Sequence, residues 1–212
     1  MFELNAIVPI LFSALGVTTL FLTFKMKLER DVKKEKKKFD AYLREEFNAS
    51  FARKKEIPAS LFLKTACETL PVVNDAECKQ LHSQVMTCAK LKLANLKNHT
   101  NLDLKRTYGM AQFENLIQFE RNYLALMDIL VKYGSILYEK GFISEAQQVL
   151  EEALVYGCDL SKCYILLSDI YLKLGTKTAL KDLKSSAEQN MQGSHYLTKI
   201  LCNIESANQV TS

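Results

Sequence analysis

At 212 residues the chain has room for one domain of ordinary size and an appendage. Hydrophobic residues make up 48% and charged residues 25%, which excludes a disordered composition, and only seven glycines and three prolines favour helices with short connections. Much of the net charge of +4 sits in one tract after the first apolar run, so the rest is near balance and nucleic acid is not an expected partner.

A short N-terminus, residues 1–4, leads into "NAIVPILFSALGVTTLFLTF", residues 5–24, which carries no Lys, Arg, Asp, Glu or His. At a helical rise of about 1.5 Å per residue this run covers roughly 30 Å, the thickness of a bilayer core. Pro9 falls in the first turns, where its missing N–H costs little. A cleaved signal peptide would need positive charge before the run and a small-residue cleavage site after it, and neither is present. A buried core helix would need a polar face, and only Ser13, Thr18, Thr19 and Thr23 interrupt the run. The expectation is an uncleaved transmembrane helix.

Lys25, Lys27, Arg30, Lys33, Lys34, Lys36, Lys37 and Lys38 follow it. Basic residues stay on the cytoplasmic side of a span, so the N-terminus is expected outside and the body in the cytoplasm, at a plasma or inner membrane. These cations read as a solvated flank, and also as contacts to lipid headgroups worth about 1 kcal/mol each near the surface. Without Gly or Pro in the way, residues 25–53 are expected to continue as a charged juxtamembrane helix. The sequons at Asn48 and Asn98 are then expected to stay unmodified. Six cysteines without a Cys-x-x-Cys pair suit a reduced compartment. Cys78 and His82 lie one helical turn apart but lack a second ligand pair, so no metal is expected.

Residues 54–74 read as a junction with Pro58, Pro71 and a short apolar helix from Ala59 to Leu70. Asp75 reads as the N-cap of a long helix that runs to the turn cluster Asn98-His99-Thr100-Asn101, inside a helical domain spanning residues 75–205. In residues 102–140 apolar residues step by three and four, as one very long helix or as two with a bend. A short closing helix is expected at "GSHYLTKILCNIE", with Tyr196, Leu197, Ile200 and Leu201 on one face, and a polar disordered tail at residues 206–212.

Two stretches within residues 127–190 match each other when Gly141 is set against Gly175, 34 residues on. Leu130 then meets Tyr164, Tyr133 meets Leu167, Gly134 meets Ser168 and Leu137 meets Tyr171. After a one-residue deletion, Ala146 meets Ala179, Leu150 meets Leu183 and Ala153 meets Ser186. This pattern of large, small and aromatic positions around a turn glycine resembles the tetratricopeptide repeat (TPR). It departs from the motif in lacking Trp at Leu130 and in carrying Cys158 where the motif closes on Pro. The expected fold is therefore all-α: a transmembrane helix, a charged helical extension and a TPR-like solenoid of α-hairpins. Two such hairpins need neighbours to bury their faces, so the helices after Asp75 are expected to pack on the first one.

The resemblance implies a face that binds a protein or peptide, lined by the first helix of each hairpin. Its groove positions carry over to Asp128, Val131, Ser135 and Tyr138, then Lys162, Ile165, Asp169 and Leu172. The Lys and Asn that clamp a terminal carboxylate in some members are replaced by Val131 and Ser135, so that activity is not expected. No phosphate-binding loop, dinucleotide turn or nucleophile elbow occurs, so neither an enzyme nor a cofactor is expected. The functional expectation is a membrane-anchored adaptor for a protein partner, with an organelle import receptor or a subunit of a membrane enzyme as alternatives.

Overall fold

A computed structural model describes the backbone of residues 4–210 and the side chains of residues 16–206 except Lys177. The chain folds into α1 (Leu4–Ser50), α2 (Ala76–Ala89), α3 (Asn101–Tyr108), α4 (Met110–Glu139), α5 (Ile143–Val155), α6 (Ser161–Leu174), α7 (Lys177–Asn190) and α8 (Leu197–Val210). Among the described residues there is no strand, only an isolated antiparallel bridge between Phe62 and Ala94. The fold is all-helical.

α1 runs unbroken from the apolar segment through the lysine tract. Among the described residues no helix is long and apolar enough to cross a membrane. The expected span, residues 5–24, lies in large part outside them, since side chains are described only from residue 16. The lower end of α1 docks on α3. Lys105 pairs with Glu46 at 2.7 Å, Arg106 pairs with Glu45 at 3.0 Å, and Ala49 is buried. Gly109, with φ 79° and ψ 160°, ends α3 and starts α4. Residues 102–140 are thus two helices, and the bend is at Gly109.

The junction is not the expected helix over Ala59–Leu70. It holds two single 3₁₀ turns, Ala59–Leu61 and Cys67–Thr69. Between them the backbone donors go elsewhere: Leu63 N donates to Leu93 O at 2.9 Å, and Ala66 N donates to the Tyr156 hydroxyl at 2.6 Å. A segment whose N–H groups are taken by neighbours has none left for its own helix. For the same reason α2 stops at Ala89, well before Asn98. Residues 90–100 lie extended or in turns, with Leu93, Ala94 and Leu96 buried and Ala94 N donating to Phe119 O at 3.2 Å.

α2 begins where the sequence places it, with the Asp75 side chain accepting from Cys78 N at 3.0 Å. It lies antiparallel to α4, since Lys140 reaches Asp75 at one end and Asn122 donates to Lys92 O at the other. α4 pairs with α5 and α6 with α7, as two consecutive helical hairpins. Both first helices end alike. Phe142 N donates back to Leu137 O at 2.9 Å past Gly141, and Thr176 N to Tyr171 O at 3.0 Å past Gly175. The two glycines have φ of 86° and 69°, the left-handed cap that closes a helix with this bond. α8 closes the far end against α6 and α7. It buries Ile200 and Ile204, whereas Tyr196 stands exposed ahead of it, and it continues to Val210 through part of the expected tail.

One core runs from the Cys67 turn through α2 and both hairpins to Ile204. A separate smaller one gathers Ala94, Leu96, Leu104 and Leu116 under Ile57, Tyr108 and Phe119. Buried tyrosines tie elements together: Tyr133 donates to Pro71 O at 2.6 Å, Tyr164 to Cys158 O at 2.9 Å and Tyr171 to Glu151 at 2.7 Å. Burial pushes the Tyr133 hydroxyl up to about 12, which keeps it a donor.

Candidate protein-interaction face

Each first helix of a hairpin turns one stripe inward. On α4 this stripe is Leu130, Tyr133 and Leu137, and on α6 it is Tyr164, Leu167 and Tyr171, all buried. Small residues let the paired helices close. Gly134 sits directly under the Leu150 side chain, and Ala146 and Ala153 are fully buried on α5. The side chain above Gly134 is that of Leu150, one turn after Ala146 on α5.

The remaining faces of α4 and α6 carry the groove positions. On α6 they form an open stripe at steps of three and four: Lys162, Ile165 and Asp169 are exposed and Leu172 is half-buried. On α4 only Asp128 is fully open, and Tyr138 is half-buried. Val131 and Ser135 are 4% and 2% exposed, so they are not available to a partner as expected. The reason is that α4 is packed by α2 as well as by its own partner α5. The Ser135 hydroxyl is used internally, donating to Glu139 at 3.1 Å.

Two groove residues meet across the hairpins. The Tyr138 hydroxyl donates to Asp169 Oδ2 at 2.9 Å. Lys173 donates to the same hydroxyl, and its ammonium stands 4.3 Å from the centre of the Tyr138 ring. That hydrogen bond, more than any other contact, holds the Lys173 amine above its ordinary range. The chain Lys173–Tyr138–Asp169 fixes the open ends of α4 and α6 relative to each other. Sequence reasoning passed over Lys173, although it lies one turn after Asp169 and so shares its face. The open surface is thus a short mixed-charge ridge with an apolar patch at Ile165 and Leu172.

The eight basic residues from Lys25 to Lys38 are all exposed along α1, where Lys38 pairs with Glu35 at 2.8 Å. An apolar-walled hollow between Val17 and Arg30 is bounded by α1 alone, and a single helix encloses no ligand. Among the described residues no three His, Cys, Asp or Glu side chains converge to hold a metal. Cys78 is buried, and His82 stacks edge-on to Tyr133 with centroids 6.1 Å apart, its Nε2 buried without a hydrogen-bond partner. Comparison with known proteins gives no matching family model, no matching curated protein and no matching solved structure.

Proposed function

We propose that this chain is a membrane-anchored adaptor whose helical body docks a protein partner on the open face of α4 and α6. The observation that carries this reading is the pair of consecutive hairpins that present Asp128, Tyr138, Lys162, Ile165, Asp169 and Leu172 on adjacent first helices. The equal cap geometry at Gly141 and Gly175 supports a TPR-like repeat. The anchor is read from the uncharged residues 5–24 and the basic tract behind them, which together favour an outside N-terminus and a cytoplasmic body. The continuity of α1 supports a rod that carries the body away from the bilayer.

The test is affinity purification of the detergent-solubilised full chain from native membranes. Lys162→Glu combined with Asp128→Lys reverses charges on the proposed face. Val155→Glu alters a residue that is 76% exposed on α5. A stoichiometric partner lost only from the first variant supports the reading. A partner held equally by both variants places the binding surface elsewhere. Recovery of the chain in the soluble fraction removes the anchor.

A further inference from the structure

From the last turns of the apolar run into the charged segment behind it, α1 keeps an apolar stripe that the body does not cover. Val17, Phe21, Leu28, Val32, Phe39 and Leu43 recur with an eleven-residue period, as 17/28/39 and 21/32/43. Each is between 48% and 66% exposed. Eleven residues make close to three whole turns, so this period holds the six side chains on one side of a nearly straight helix. Arg30, Lys33 and Lys37 fall on the far side. α3, the element packed on α1, ion-pairs with it at Glu45 and Glu46, below the stripe.

We propose that two copies of this chain pair in parallel along the α1 stripe, forming a two-helix stalk that carries two bodies side by side. Three observations select a second copy as the occupant. First, the repeat is the kind that lets two identical helices keep their seams in contact over many turns. Second, the flanks are self-complementary. Asp31 lies on one edge of the stripe and Lys36 on the other, the arrangement by which flanking charges pair across a parallel seam. The ion pair within this stretch among the described residues is Lys38–Glu35, which neutralises the acid at the stripe margin and leaves Asp31 and Lys36 for a neighbour. Third, α1 has no break between Leu4 and Ser50, so residues 28–43 continue along the axis of the apolar segment and do not turn onto a lipid surface. The parallel register rests on the anchored reading, because two anchors in one bilayer hold their helices side by side and raise their effective concentration.

The test uses the full chain in native membranes with exposed Cys202 replaced by Ser. Val32→Cys puts a thiol on the stripe and Lys37→Cys puts one on the opposite side. Both sites are exposed, so neither change threatens the fold. Mild oxidation is expected to convert most of the Val32→Cys chain into a disulfide-linked dimer and to leave Lys37→Cys monomeric. Equal crosslinking of the two, or none of either, overturns the stalk. Protection of Val32→Cys from maleimide by anionic vesicles, without crosslinking, assigns the stripe to lipid and also overturns it. Fractionation of the same cells reports on the anchor separately. A soluble chain that still crosslinks at position 32 defeats the anchor and leaves the pairing intact.

Discussion

Gly134 of α4 lies so close beneath Leu150 of α5 that a Cβ there would stand 2.6 Å from Leu150 Cγ and 2.7 Å from Cδ2. Leu150 is fully buried in the seam of the hairpin, where interiors are close-packed, so moving it displaces other side chains. In an exposed helix, Gly→Ala stabilises by about 0.5–1 kcal/mol. Here Gly134→Ala is expected to reverse that sign and cost roughly 1–3 kcal/mol, the ordinary penalty of overpacking. Denaturant unfolding of the two proteins measures it. A gain in stability would show that the hairpin is not closed at this point.

Asp75 links the start of α2 to the end of α4. Lys140 donates to both carboxylate oxygens at 2.9 Å, and Cys78 N donates to one of them at 3.0 Å. The bond from Lys140, followed by that from Cys78, lowers Asp75 from 3.8 to about 2. A depressed folded value stabilises fully above the unfolded value, and that share is lost as pH falls from about 4 toward 2. Asp75→Asn keeps an acceptor for the cap but not the charge. It is expected to flatten the stability profile in this window, and added salt is expected to weaken the wild-type effect because the pair is exposed to solvent. An unchanged acid slope in Asp75→Asn would assign that slope to other groups.

Local signals made much of this fold legible. The Asp75 cap, the turn glycines 141 and 175, and the absence of breakers after residue 25 all act within a turn or two of chain, and each marks an element boundary or continuity that the structure has. The stretch "KLKLANL", residues 90–96, carried a period-two pattern that a helical reading overrode, and it is the extended segment beside Phe62. Other features depend on remote partners. Val131 and Ser135 lie on a helix also packed by α2, and no residue near them in sequence announces that packing. The apolar run Ala59–Leu70 gives up helix because Leu93 and Tyr156 take its donors.

Gly109 marks a second close approach, here between backbones. Its φ of 79° with ψ 160° is a conformation open almost only to glycine. A Cβ would lie 2.9 Å from the carbonyl oxygens of both Ala52 and Arg53. Gly109→Ala is expected to cost at least about 1–3 kcal/mol from the conformation alone. The loss should appear first as release of the segment after α1. Trypsin cleavage at Arg53, Lys54 and Lys55 is the readout, and faster cutting there than at Lys79 on α2 is expected. Equal acceleration at both sites would mean that the whole body loosens together, with no hinge at Gly109.

The same contacts decide where the body can be separated from α1. The prolines of the junction suggest a boundary near Lys54, but α3 is held from the other side of that point. Glu46 accepts from Lys105 in a pair whose side chains are 18% and 23% exposed, Lys55 N donates to Tyr108 O at 3.2 Å, and Ala49 is 2% exposed. That hydrogen bond from Lys105 is also what most lowers the Glu46 carboxyl. A fragment that begins at Lys54 exposes the α3 surface that Ala49 covers and leaves Lys105 without its acid. A fragment that begins at Asp40 keeps both. The longer fragment is therefore expected to melt higher, and Lys105→Met is expected to lower the longer fragment's melting temperature while changing the shorter one little. Equal melting of the two fragments would mean that α1 adds nothing to the fold of the body, and the boundary read from the prolines would stand.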